Sequence, residues 1–400
     1  MHVVVQKFGG TSVATRDMRL RAAAHVESAI SDGNRVVVVV SAMGRKGDPY
    51  ATDTLLGIPD EESVVSARDL DLLMTCGEQI SAVVFAGLLR SRGHDVAVLT
   101  GGQAGIITTN QFGSSRIVDI DPSRVNEELS LGRIVVVMGF QGITSDGEVT
   151  TLGRGGSDTT ATALGVALDA DVVDIFTDVD GIMTADPRIV SDAKRLHQVT
   201  YNEICNLAYQ GAKVIHPRAV EIAMQKNIPI RVRSTLTTDP GTLVTSAAQI
   251  LESHHVLEKP VTGITQTANV TQIELTGDSI DKPSVFAAMA EHGISVDFIS
   301  VGPSRVQYTV ADSDAKLTVR VLSQLGQNPS VLPGCAKIAA VGAGIAGVPG
   351  IMAQIVDALE KEGIEILQSA DSHTTIWCLI RREQMERAVR ALHEAFRLAD

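Results

Sequence analysis

The chain has 400 residues, enough for two or three domains, and 44% of them are hydrophobic, so disorder as a global state is excluded. Asp and Glu number 47 against 34 Lys and Arg, and the net charge of −13 repels phosphate backbones. That excludes a general nucleic-acid binder while leaving room for a locally basic pocket.

The N-terminal residues Val3–Lys7 read directly as a strand, not as a leader. The longest aliphatic run, Val36–Val40, falls far short of the roughly 20 residues of a membrane span. A cytoplasmic protein with no membrane partner is the expectation. Cys76, Cys205, Cys335 and Cys378 are widely spaced with no CxxC pair, so neither a zinc site nor a disulfide framework is expected.

Aliphatic, β-branched runs follow at Arg35–Ser41, Asp95–Thr100, Ile134–Phe140, Val172–Thr177 and Ile228–Ser234. Helical patterns at Arg16–Ser31, Asp69–Arg92 and Ser157–Ala170 alternate with them. Strands apolar on both faces are covered on both faces, so the pattern predicts an α/β sandwich around a largely parallel sheet. Its ligands belong at the carboxyl ends of the strands. Residues 236–260 lack clear periodicity and read as a linker with room for one helix. The remainder repeats at an offset of 70 (277 to 347, 293 to 363): Gly277 with Gly347, Gly293-Ile294 with Gly363-Ile364, Leu322 with Leu392. Each copy predicts a βαββαβ unit, and Val261–Ile264 is the spare strand that leaves an exchange between the two copies open.

Four clusters carry chemistry. In Lys7-Phe8-Gly9-Gly10-Thr11-Ser12 a lysine and two glycines end a strand, which suits an anion cradle or a plain turn. Gly153-Arg154-Gly155-Gly156-Ser157-Asp158 opens a helix with an arginine able to fork onto an anion. Asp158 either complements the helix dipole or orients Lys7. Thr177-Asp178-Val179-Asp180-Gly181 with Thr184–Arg188 suits a metal, a ribose or a solvated loop. Gly211–Pro217 offers Lys213, and His216 reads as a loop residue; Glu78 heads an apolar helix and could be a first-turn acid.

Together Lys7–Val13, Ser41-Ala42-Met43, Thr52-Asp53, Gly77-Glu78, Gly153–Asp158, Thr177–Gly181, Asp186-Pro187-Arg188 and Gly211–Pro217 resemble, in order, the motifs of the aspartokinase family. The likeness is strongest to the diaminopimelate-sensitive isozymes of Gram-positive bacteria. It implies a three-layer αβα amino-acid kinase sandwich at 1–235, a linker at 236–260, and paired ferredoxin-like ACT domains at 261–330 and 331–400, with strand 261–264 available for exchange. It also implies transfer of the γ-phosphoryl of MgATP to the β-carboxylate of L-aspartate, the first step toward diaminopimelate, lysine, threonine and methionine.

By the same resemblance, Lys7 and Lys213 stabilise the phosphoryl group and Asp158 holds Lys7. ATP falls to Lys7, Phe8, Gly9, Gly10, Ser41, Thr177, Asp178, Met183, Asp186, Arg188, Lys213 and Val214, with Met183 where many relatives carry an aromatic residue. Aspartate falls to Thr52, Asp53, Glu78, Arg154, Gly155, Gly156 and Ser157, Glu78 taking the α-ammonium and Arg154 the α-carboxylate. No protein-held metal is expected beyond the Mg²⁺ of the nucleotide. An amino-acid effector (diaminopimelate, lysine or threonine) would meet Asp278, Ser279 and Asp297, in a homo-oligomer joined through the ACT domains. The competing readings are another small-molecule kinase of the same fold, acting on UMP, glutamate or N-acetylglutamate, and an amino-acid sensor without activity. The length leaves no room for a fused homoserine dehydrogenase.

Overall fold

The apolar strands of the first half assemble, in a computed structural model, into one eight-stranded sheet. Residues 2–60, 62–211, 214–252, 260–278, 280–343, 345 and 348–400 are described. In spatial order the strands are Gln198–Thr200, Thr242–Thr245, Ile230–Ser234, Val172–Thr177, Val3–Phe8, Arg35–Val40, Ile134–Met138 and Val96–Leu99. Every pairing is parallel except Ile230–Ser234 with Thr242–Thr245.

Alternation along the strands divides the core. Val36, Val38, Val40, Val136 and Phe176 face the helices Arg16–Ser31 and Ala67–Ser91, where Ala22, Val26, Phe85 and Leu89 are fully buried. Val37, Val39, Val135 and Val137 are equally buried on the other face, which the helix Gly156–Ala167 crosses. The Ala67–Ser91 helix is long and apolar enough to span a membrane, but half of its apolar window is packed in this core. A second sheet, Ile117–Ile120, Ile106–Thr108, Gln141–Ile143 and Val149–Thr151, was not evident from the sequence because its strands have only three or four residues.

Residues 236–260 are not simply a linker. Thr242–Thr245 adds a strand to the main sheet before the helix Ala247–Glu252. The chain forms two compact units: Met1–Ile182 with Arg195–Ala208 and Lys213–Val256, and Met183–Lys194 with Tyr209–Ala212 and Leu257–Asp400.

The second unit is built on a six-stranded antiparallel sheet ordered Asp297–Val301, Arg305–Ala311, Gly263–Thr276, Ser330–Val341, Thr375–Arg381, Gln368–Asp371. The long strand Gly263–Thr276 serves both repeats. Its Gly263–Thr267 part pairs with Lys337–Val341 of the second copy, and Val270–Thr276 pairs with Arg305–Ala311 of the first. Separate cores form under the two helix pairs, one around Val285, Tyr308 and Leu322, the other around Ile355, Leu359 and Leu392. The second core also takes Ala185 and Val190 from the 183–194 segment.

Candidate functional site

Lys7 occupies the next-to-last position of the strand Val3–Phe8, whose neighbours on both sides are parallel strands ending at the same level. Its ammonium lies 2.7 Å from Asp158 Oδ1, and both side chains are only 12% exposed. Asp158 stands in the first turn of the helix Gly156–Ala167, so the acid both complements the helix dipole and holds Lys7. Gly155 caps that helix at φ +68°, and a Cβ there would fall 2.2 Å from His216 Cγ, so only glycine fits. His216 is a structural residue: its Nδ1 accepts from the Arg218 N–H at 3.3 Å, capping the helix Pro217–Met224.

A cavity of 470 Å³ opens at this point. Lys7, Ser41, Thr52, Asp53, Glu78, Arg154, Gly155, Gly156, Ser157 and Asp158 line it, as do Leu56, Met74, Gly113, Phe140 and Gly153. It therefore brings together the whole set of acceptor residues expected from the motifs with the proposed catalytic Lys7–Asp158 pair. Thr52 and Asp53 begin the short helix Thr52–Leu56.

Glu78 lies in the middle of the Ala67–Ser91 helix, not at its head, so it is no first-turn acid. It is 2% exposed. The Ala42 N–H donates to its Oε1 at 3.0 Å, while Oε2 has no hydrogen-bond partner. Burial pushes its carboxyl up to about 8. Arg154 is exposed on the cavity wall and makes no hydrogen bond or ion pair with another described residue. The site thus has a buried acid short of one partner and an arginine with none.

Phe140 was not singled out by the sequence. It takes φ +70°, a conformation costly for a bulky side chain, and is fixed there by two hydrogen bonds. Its N–H donates to Thr160 Oγ1 at 3.1 Å, and its carbonyl accepts from the Leu152 N–H at 2.8 Å. Asp71, also missed, is fully buried and accepts from Gly113 and Thr151.

The nucleotide candidates divide between the two units. Phe8 is buried in the core, stacked on Phe176 at 4.7 Å, so its side chain is not open to a ligand. The Gly9 N–H donates to the Phe176 carbonyl at 3.4 Å, and Ser41 N–H to the Phe8 carbonyl at 3.2 Å, which ties the two loops to the strand ends. The Thr177 hydroxyl donates to Asp178 at 3.1 Å, and Asp178 is ion-paired with Arg45, a residue the motifs had not indicated. Val214 is half-buried. Met183, Asp186 and Arg188 belong to the second unit, where Arg188 pairs with Asp186 at 2.7 Å and holds its carboxyl below the usual range. Lys213 and Ser279 lie outside the described residues. Among the described residues no group of three His, Cys, Asp or Glu side chains could hold a metal ion.

In the second unit the first-copy helix Lys282–Glu291 begins within one residue of where the repeat places it. Pro283 fits the first turn, and Asp281 caps it by accepting from Ser284 N–H at 3.3 Å, which leaves Asp278 in an exposed turn ahead of the helix. Asp297 is already ion-paired with the buried Lys337. An open cavity of 580 Å³ lies instead at the second copy, between Gly350-Ile351-Met352 at a helix start and Asp371-Ser372-His373.

Residues 2–234 match the amino acid kinase family, and residues 330–394 match the ACT domain. The chain is 54% identical to Aspartokinase 1 of Bacillus subtilis over 403 aligned positions, covering all of both chains. It is 40% identical to the aspartokinase of Geobacillus stearothermophilus, covering 100% of this chain and 98% of that one. Among solved structures, E. coli aspartokinase III in complex with aspartate and ADP superposes with a TM-score of 0.77 at 28% identity, covering 98% and 99% of the two chains. The lysine and aspartate complex of the same enzyme, in its T-state, gives a TM-score of 0.75 at 27% identity, with the same coverage.

Proposed function

Since the chain belongs to the aspartokinases, with an amino acid kinase domain and an ACT domain, we propose that it transfers the γ-phosphoryl group of MgATP to the β-carboxylate of L-aspartate. The products are 4-phospho-L-aspartate and ADP. The observation that carries this reading is the pairing, on one cavity wall, of Glu78 with its unpartnered oxygen and Arg154 with no partner. An α-amino acid brings one ammonium and one α-carboxylate, and the two side chains answer both. N-acetylglutamate lacks the ammonium and UMP carries no cationic group, so each would leave the Glu78 carboxyl unmatched.

The acceptor's β-carboxyl ionises near pH 4, so no general base is needed at neutral pH. The barrier is the approach of an anion to an anionic phosphoryl group, and the remedy is positioning and fixed positive charge. Lys7, oriented by Asp158, supplies that charge beside the acceptor cavity. A carboxylate oxygen forms the new P–O bond as the bond between the γ-phosphorus and the bridging oxygen breaks. The electrons of that bond leave with ADP. Mg²⁺ held by the triphosphate would offset part of its charge.

The ACT unit supports control by an amino acid, with diaminopimelate, lysine and threonine as candidates, in a homo-oligomer. ADP release measured with L-aspartate, N-acetyl-L-aspartate, L-glutamate and UMP tests the catalytic reading. Turnover with L-aspartate alone is expected, and the three effectors added in turn identify the inhibitor. Equal turnover with N-acetyl-L-aspartate would remove Glu78 from the ammonium, and no turnover with any acceptor would mark a sensor.

A further inference from the structure

The geometry points to Asp71 as a positioning residue for aspartate binding, acting through the loop that carries Arg154. Asp71 is fully buried on the Ala67–Ser91 helix, two turns before Glu78. Its carboxylate accepts four hydrogen bonds: the Gly113 N–H reaches both oxygens at 3.0 Å, the Thr151 N–H reaches Oδ2 at 2.8 Å, and the Thr151 hydroxyl reaches Oδ1 at 2.7 Å. Carboxylates that accept from backbone N–H groups make stronger, more directional bonds than neutral acceptors do.

Those partners are not scattered. Gly113 lines the acceptor cavity, and Thr151 ends the strand that runs into Gly153-Arg154-Gly155. A guanidinium closes the same bracket from the other side. Arg218 donates to the Leu152 carbonyl at 3.0 Å and to the Ser115 carbonyl at 3.1 Å, and Ser115 N–H donates to the Thr151 carbonyl at 2.9 Å. After Leu152 the chain is fixed again by the Gly156 N–H on the Gly153 carbonyl at 3.0 Å. Arg154 therefore sits on a short turn anchored at both ends, although its own side chain holds to nothing. An arginine awaiting a ligand has long, mobile torsions, so its aim depends on where its Cα is placed.

The inference rests on the reading of Arg154 as the ligand of aspartate's α-carboxylate. Its test is a kinetic cycle on the full-length protein: KM for aspartate and for ATP in wild type, Asp71→Asn, Thr151→Val, Arg154→Ala and the double variants. Asp71→Asn removes the charge and leaves a single acceptor oxygen for the Gly113 and Thr151 donors, and the expected result is a rise of roughly ten-fold or more in aspartate KM with ATP KM within about three-fold. Thr151→Val removes one bond of the four at nearly constant volume and should give a smaller rise with the same selectivity. In the Arg154→Ala background either change should add less than about two-fold, because residues acting as a unit are not additive. Should Asp71→Asn fail to fold, Thr151→Val and its double variant decide alone. Equal rises in both KM values, or an undiminished effect in the Arg154→Ala background, would overturn the role of Asp71. An unchanged aspartate KM in Arg154→Ala itself would instead overturn the reading of Arg154, and the role assigned to Asp71 with it.

Discussion

Two carboxylates stand on one face of the Ala67–Ser91 helix, at positions 71 and 78, and both are nearly or wholly excluded from water. Around Asp71 every direction is filled by an N–H or hydroxyl donor from the 113 and 151 loops. Around Glu78 there is one backbone donor and one oxygen with nothing opposite it. A buried polar atom without a partner costs about 1–3 kcal/mol, so the fold retains a cost at Glu78 that it avoids at Asp71. The contrast separates a group that shapes a site from a group that waits for a ligand. Burial without a full set of donors is also what raises the Glu78 carboxyl to about 8.

The largest effect should come from the charge that serves the transfer itself. Lys7→Ala is expected to lower kcat by roughly three orders of magnitude with only a modest change in aspartate KM, if Lys7 has the proposed role of meeting charge on the transferring group. Turnover within a few-fold of wild type would detach Lys7 from the chemistry. Next in size is Glu78→Gln. Losing the charged partner of an ammonium should raise aspartate KM by about 30- to 100-fold while leaving ATP KM unchanged. A selective rise in ATP KM would move Glu78 to the nucleotide side and break the contrast with Asp71.

A further effect is on stability, and its sign follows from linkage. Glu78 is lifted from 4.5 to about 8 in the folded chain, so the folded state binds its proton more tightly than the unfolded state. Its contribution is fully present below pH 4.5 and is lost as pH rises through about 8. Glutamine cannot ionise. Thermal denaturation of wild type and Glu78→Gln in the absence of ligands, across that window, should show the variant's relative Tm climbing as pH rises. A relative Tm that falls or stays level would show that Glu78 carries no such burden.

Much of this was legible in the sequence. The parallel strands announced themselves as unbroken aliphatic runs, and the helix predicted at Arg16–Ser31 spans those residues in the structure. Lys7, the Gly153–Asp158 loop and Glu78 converge on one cavity as their motifs implied. Glu78 read as heading an apolar helix, but it stands in the middle of Ala67–Ser91. Here Gly77 is mid-helix because a Cβ would come within 2.7 Å of Ala42 Cβ, a close approach visible only in three dimensions. Asp71 was not singled out in the sequence, since the donors that bury it come 42 and 80 residues later. The segment holding Met183, Asp186 and Arg188 read as a polar loop of the kinase domain. Its Ala185 and Val190 instead pack with Ile264, Ile338 and Leu359, partners no local pattern could reveal. Asp278 was read at a helix start, but Pro283 in the first turn and the Asp281 cap leave it in the exposed turn before that start.

The central claim, that Glu78 is held protonated until an α-ammonium replaces its proton, has a direct test. Aspartate binding is measured calorimetrically at pH 7, in the presence of ADP, in buffers of different ionisation enthalpy, for wild type and Glu78→Gln. Wild type should release close to one proton per aspartate bound, because a carboxyl at about 8 is mostly protonated at that pH and must ionise to meet the ammonium. The variant should release none. Binding by wild type with no proton release, or equal release from both proteins, would contradict the claim.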